Sequence, residues 1–140
     1  MTNQAQAELA LGATLPARRF GPVDAAWVLR YVEAAQDPNP LHRDPDAARV
    51  AGFPGPILPG MLLLGLCERA VETWRGNRTI LHLAGRFLAP LAAPAEVEIT
   101  ARVAAVEATR TILRISVKGG PGYAALACIG EAWLSPPAGG

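Results

Sequence analysis

Asp37 and His42 stand five residues apart in Asp37-Pro38-Asn39-Pro40-Leu41-His42, where two prolines remove much of the backbone's freedom. A carboxylate and an imidazole held that close can grip one water, take a proton from it and deliver a proton elsewhere, which is what addition of water across a double bond requires. The same residues have a plainer reading. Asp-Pro and Asn-Pro are common turn formers, and a lone histidine in a loop more often serves structure than chemistry. Asn39, between the pair, is expected to hold the loop through its side-chain amide; it is also a candidate contact to a substrate.

The elements around this stretch must hold it in place. Ala25, Trp27, Val28, Val32 and Ala35 recur at helical spacing after the breaker pair Gly21-Pro22, which predicts a first amphipathic helix over 24–35. From Gln36 to Pro59 six prolines limit regular structure to a short helix near 46–50, and a connection that long inside a small domain tends to be functional. Gly60 to Trp74 reads as a helix apolar on nearly every face for two turns, and such a helix belongs inside something. Glu68 and Glu72, one turn apart with Arg69 and Arg75 nearby, mark where it emerges into water.

Beyond Gly76-Asn77 four strands are expected, over 79–88, 96–106, 111–118 and 123–134. The links between the later ones are too short for helical crossovers, so neighbours are antiparallel. Near-strict alternation in Glu96-Val97-Glu98-Ile99-Thr100-Ala101-Arg102-Val103 gives the sheet one wet face. The fold class is α+β, with a sheet curling around one buried helix. His82, among apolar neighbours on a strand, is read as structural.

Composition narrows the function classes. The 140 residues are 51% hydrophobic, enough for one core, so one domain over 16–135 is expected, with a flexible start over 1–15 and a flexible tail over 136–140. Thirteen basic and twelve acidic side chains give a formal charge of +1, and the arginines are scattered along the sequence, so nucleic acid is an unexpected partner. There is no secretory signal pattern and no apolar run of the ~18 residues a membrane span needs, so no membrane association is expected and the cytoplasm is the expected compartment. Cys67 and Cys128 lack metal-ligand spacing and are read as reduced core residues; neither a metal nor a cofactor is expected.

Asp37-x-Asn39-Pro40-Leu41-His42 followed by Ala48, with Gly52-Phe53, then Pro56-Ile57-Leu58-Pro59-Gly60-Met61-Leu62, then Phe87 and Pro90, resembles the signature of the MaoC-like hydratases, the (R)-specific enoyl-CoA hydratase/dehydratase family. The resemblance covers most of 19–134. It implies a hot-dog fold, a long central helix wrapped by an antiparallel sheet, with an overhanging segment carrying the site and two protomers joining sheets in a homodimer. It implies that Asp37 and His42 activate water for syn addition to a trans-2-enoyl thioester, giving the (R)-3-hydroxyacyl product, or the reverse. It also makes Gly60 a third participant, through a backbone N–H that meets the thioester oxygen. Physics agrees with that role, because first-turn N–H groups lack intrahelical partners and sit at the positive end of the helix dipole; the plainer alternative is a glycine required only by packing.

On the same resemblance the partner is an acyl-CoA or acyl-carrier thioester. Met61, Leu64 and Trp74 are candidate walls of the acyl pocket, and Arg86 is a candidate contact to the phosphates or pantetheine of coenzyme A, its plainer reading being a scattered surface arginine. Two positions depart from the family pattern: Pro59 stands where members often have histidine, and Pro94-Ala95 replaces a Gly-Asp turn. Pro59 suits a first helical position. Two other functions fit a hot-dog fold: an acyl-CoA thioesterase, which usually carries its acid on or near the central helix, and a non-catalytic acyl-binding subunit, which would have lost the pair.

Overall fold

The computed structural model describes residues 9–139. Its elements in chain order are β1 (Arg18–Val23), α1 (Ala25–Ala35), α2 (Pro40–Arg43), α3 (Pro45–Val50), α4 (Gly60–Trp74), β2 (Ile80–Phe87), β3 (Ala95–Val106), β4 (Thr111–Gly119), a 3-10 turn at Pro121–Tyr123, and β5 (Ala125–Leu134). The five strands form one antiparallel sheet in the order β1-β3-β4-β5-β2.

Alternation along the strands sorts the side chains as the sequence pattern predicts. Val97, Ile99, Ala101 and Val103 of β3 and Leu113, Ile115 and Val117 of β4 point to one face and are buried, while Arg102, Arg114 and Lys118 point to the other. Against the apolar face lies α4, burying Leu62, Leu63, Leu66, Cys67, Ala70, Val71 and Trp74. This is the wrapped central helix of a hot-dog fold. The wrapping within one chain is one-sided, however: Met61, Gly65, Glu68 and Arg69 stay exposed, so the helix is not enclosed on every face.

A fifth strand, β1, was not anticipated, because Gly21-Pro22 reads as a break. The chain bulges there and resumes pairing at Val23 with Ala95. Gly21 has φ +131°, and a Cβ on it would come within 2.9 Å of the Ala95 carbonyl oxygen, so this bulge needs glycine. The start expected to be flexible through Leu15 is packed from Leu9 onward. Leu9 and Leu15 are buried, and Gly12 and Leu15 donate backbone N–H groups to the carbonyls of Val103 and Ala101, each at 2.9 Å, continuing the edge of β3 that β1 covers. Residues 1–8 and 140 lie outside the described residues. The Trp74 indole then donates to the Pro16 carbonyl at 2.9 Å, tying this segment to the end of α4.

Cys67 and Cys128 are both buried and unbridged. Burial, with the nearby Cys128 thiol as the smaller cause, pushes the Cys67 thiol up to about 12, and burial raises Cys128 too. Both are therefore protonated core residues near neutral pH.

Candidate active site

Two of the prolines expected to limit regular structure to one short helix near 46–50 each open a helix. Asn39 accepts the Leu41 N–H at 3.0 Å and Pro40 opens α2; Asp44 accepts the Asp46 N–H at 2.9 Å and Pro45 opens α3. Each pair is an Asx cap followed by proline at the first helical position, where its missing N–H costs nothing. Two short helices therefore replace the one expected, and His42 rides on the first. The Asn39 side-chain oxygen is engaged in holding the loop, as expected, which leaves the substrate contact without geometric support.

Asp37 is fixed from two sides. Its Oδ1 accepts the Asn39 N–H at 3.0 Å, and its own N–H donates to the Val32 carbonyl at 3.0 Å, just past α1. That leaves Oδ2 facing the His42 imidazole. His42 is fixed by a group with no sequence signature, the backbone carbonyl of Ile57, which lies 2.7 Å from Nδ1. A carbonyl can only accept, so Nδ1 carries the proton and the neutral ring presents the lone pair of Nε2. Ile57 is held in turn by donating its N–H to the Leu41 carbonyl at 2.9 Å and by bridging to Ala92.

His42 Nε2 and Asp37 Oδ2 are 3.8 Å apart. That is too long for a direct hydrogen bond, yet it suits two acceptors sharing the O–H groups of one water at ~2.8 Å from each. The imidazole is only 11% exposed and the carboxylate 31%, so the pair opens on solvent from one side.

The pair lines a cleft of about 410 Å³ together with Tyr31, Ala35, Pro59, Gly60, Met61 and Phe87. Pro59 is the N-cap of α4, one residue earlier than expected, and has no side chain that could cap the helix. Among the described residues the Gly60 and Met61 N–H groups have no acceptor, so both are available to a ligand at the helix's positive end. The structure thus brings Asp37, His42, Gly60 and Met61 to one cleft.

Arg86 is not brought there. It follows the alternation of β2 to the face of the sheet away from α4, where it lines a larger open hollow of about 530 Å³ with Arg114, Ser116 and Glu131. That hollow contains no histidine and lies across the sheet from Asp37 and His42. His82 is on the same outer face, with its ring centroid 4.2 Å from that of Trp133. Tyr31 and the Ile57 carbonyl are the members sequence reading missed. Tyr31 had the weak signal of standing one helical turn before Ala35; the carbonyl had none.

An antiparallel sheet around a central helix, with an Asp/His pair on the overhanging loops at the helix's N-terminus, defines a hot-dog protein with a polar cleft. The MaoC-like domain family matches residues 6–118, and the chain belongs to that family. It is 40% identical over 85 residues to a peroxisomal enoyl-CoA hydratase 2 of Arabidopsis thaliana, covering 59% of this chain and 26% of that one. It is 38% identical over 90 residues to 3-hydroxyacyl-thioester dehydratase Y of Mycobacterium tuberculosis, covering 61% and 30%. The matches thus span less than a third of the length of either relative. Among solved structures it is similar to an (R)-hydratase of A. caviae involved in PHA biosynthesis, at 29% identity and TM-score 0.73, covering 94% of this chain and 99% of that one. No described helix is long and apolar enough to cross a membrane.

Proposed function

We propose that the protein reversibly hydrates trans-2-enoyl thioesters to (R)-3-hydroxyacyl thioesters, acting as a hydro-lyase on acyl-CoA or acyl-carrier substrates. The observation that carries this reading is the 3.8 Å approach of His42 Nε2 and Asp37 Oδ2 beside the uncapped start of α4. A water donating to both acceptors has a lone pair left to attack C3 of the enoyl group. As the O–C3 bond forms, the C2=C3 π electrons move toward the thioester oxygen, and the Gly60 N–H stabilises the enolate charge. His42 takes the water's proton at Nε2, because Nδ1 is already protonated, and the Asp37 carboxylate stabilises the imidazolium. Collapse of the enolate then draws that proton to C2 on the same face, so one water is added and both residues return to their starting states.

Loss of the enoyl absorbance of crotonyl-CoA on adding enzyme tests this. Hydration removes the band with no free thiol; release of thiol would replace the reading with a thioesterase, and no change with C4 to C12 enoyl-CoA or carrier thioesters would overturn it.

The chain is further proposed to form a homodimer through β2. This strand ends the sheet order and carries exposed Leu81 and, just beyond its end, Leu88, an edge that a second copy can pair and cover. Light scattering should give twice the 14.7 kDa chain mass; a single-chain mass at micromolar concentration would overturn the dimer.

A further inference from the structure

Position 60 poses a question that the proposed reaction does not by itself answer: why it holds glycine. Backbone conformation does not require it, since Gly60 is absent from the glycines with positive φ and begins a regular helix. What requires it is a ring. A Cβ built on Gly60 would meet three ring atoms of Phe87, Cε2 at 2.7 Å, Cδ2 at 2.8 Å and Cγ at 2.9 Å, so the ring occupies the space in which any side chain would begin.

The rest of Phe87 is placed to put the ring there. It is the last residue of β2, opposite Cys128, and the next residue, Leu88, anchors the strand end by donating to the Ala127 carbonyl at 2.8 Å. Alternation along β2 sends the Phe87 side chain to the α4 face while Arg86 goes to the other. The ring is 47% exposed, a large apolar surface left open at the mouth of a polar cleft, and it borders that cleft with Asp37 and His42.

We infer that Phe87 is a positioning residue of the proposed hydratase site: its ring, seated on the Gly60 Cα, walls off the adjacent N–H from bulk water and is the reason position 60 is glycine. This rests on the hydratase reading and assigns a residue that the acid/base pair does not include. A hydrogen bond from an N–H shielded from water strengthens as charge develops on its acceptor, because the local dielectric is low. Phe87 therefore acts on the transition state through Gly60, more than on the affinity for the ground-state thioester.

A double-mutant cycle with crotonyl-CoA tests it, using wild type, Phe87→Ala, Gly60→Ala and the pair combined, with kcat, KM and thermal midpoint measured for each. Phe87→Ala should lower kcat on the order of tenfold with KM within about threefold of wild type, a part of the ~100-fold or more that loss of a whole oxyanion donor costs. Gly60→Ala should lower kcat further, because the new methyl must displace the ring. The combined variant should recover to about the level of Phe87→Ala, since the methyl then fills space the ring has left. An unchanged kcat in Phe87→Ala with only a lowered thermal midpoint would overturn the inference, as would a rise in KM alone. A combined variant as impaired as Gly60→Ala would also overturn it, showing that the glycine serves substrate approach. Where Gly60→Ala fails to fold, the kcat and KM of Phe87→Ala decide alone. A wild type inactive on every enoyl thioester would overturn the hydratase reading and this inference with it, whereas an active wild type with an indifferent Phe87→Ala would overturn only the inference.

Discussion

Asp37→Asn is expected to lower turnover of an enoyl thioester by about 10³-fold, within the ~10²–10⁴ range of positioned acid/base groups, while leaving the fold in place. The substitution is close to isosteric. The amide that replaces the carboxylate keeps an oxygen that can accept the Asn39 N–H, so the turn that now closes at 3.0 Å should survive. What changes is the atom facing His42: a charged acceptor becomes a neutral amide, which no longer stabilises an imidazolium 3.8 Å away. A loss of 10³ corresponds to about 4 kcal/mol of transition-state stabilisation. His42→Ala should be at least as damaging to turnover, because it removes the Nε2 lone pair.

His42→Ala also deprives the Ile57 carbonyl of its partner, which costs ~1–3 kcal/mol if no water replaces it. Its melting temperature should therefore fall by several degrees while that of Asp37→Asn moves little. Steady-state kinetics with thermal melts on both variants checks this. Loss of folding in both would show that the pair is structural. Full activity in Asp37→Asn would remove the carboxylate from the mechanism.

The second large effect is on stability. Leu113→Ala should cost about 3–4 kcal/mol, the usual result of emptying a close-packed site. Leu113 has no solvent exposure on β4, the sheet's middle strand, opposite Val103 of β3 and Ala132 of β5. With neighbours on both sides in the sheet, the backbone cannot move in to close the hole. Against the ~5–15 kcal/mol stability of a domain, the loss should lower the urea midpoint by roughly 2 M at unchanged slope. A loss below about 1 kcal/mol would mean that the inner face of the sheet is loosely packed.

Some of this was legible because it depends on residues near in sequence. Alternation from Glu96 to Val103 gave β3 its two faces, and apolar density from Gly60 to Trp74 gave α4, because side-chain period follows directly from backbone geometry. Asp37 and His42 were legible for the same reason: five residues and two prolines leave few ways to hold them far apart. Other features were misread because one local signal has two outcomes. Pro40 reads as a breaker, but it follows Asn39 and so begins a helix, as Pro45 does after Asp44 at the start of the helix expected near 46–50. Gly21-Pro22 looked like a stop, but pairing to β3 carries β1 through it as a bulge.

The sequence by itself determined α4, the strands from β2 to β5, the closeness of Asp37 to His42 and the family pattern, all written in spacings of a few residues. Tertiary structure decided which groups complete the site. The Ile57 carbonyl sets the His42 tautomer from 15 positions away. The Phe87 ring, brought to Gly60 across the fold, explains the glycine that sequence alone left open between packing and substrate approach. The parity of one strand sent Arg86 to the far face of the sheet, away from the cleft. In each case the deciding contact is between residues far apart along the chain, and such a contact exists only once the sheet has closed around α4.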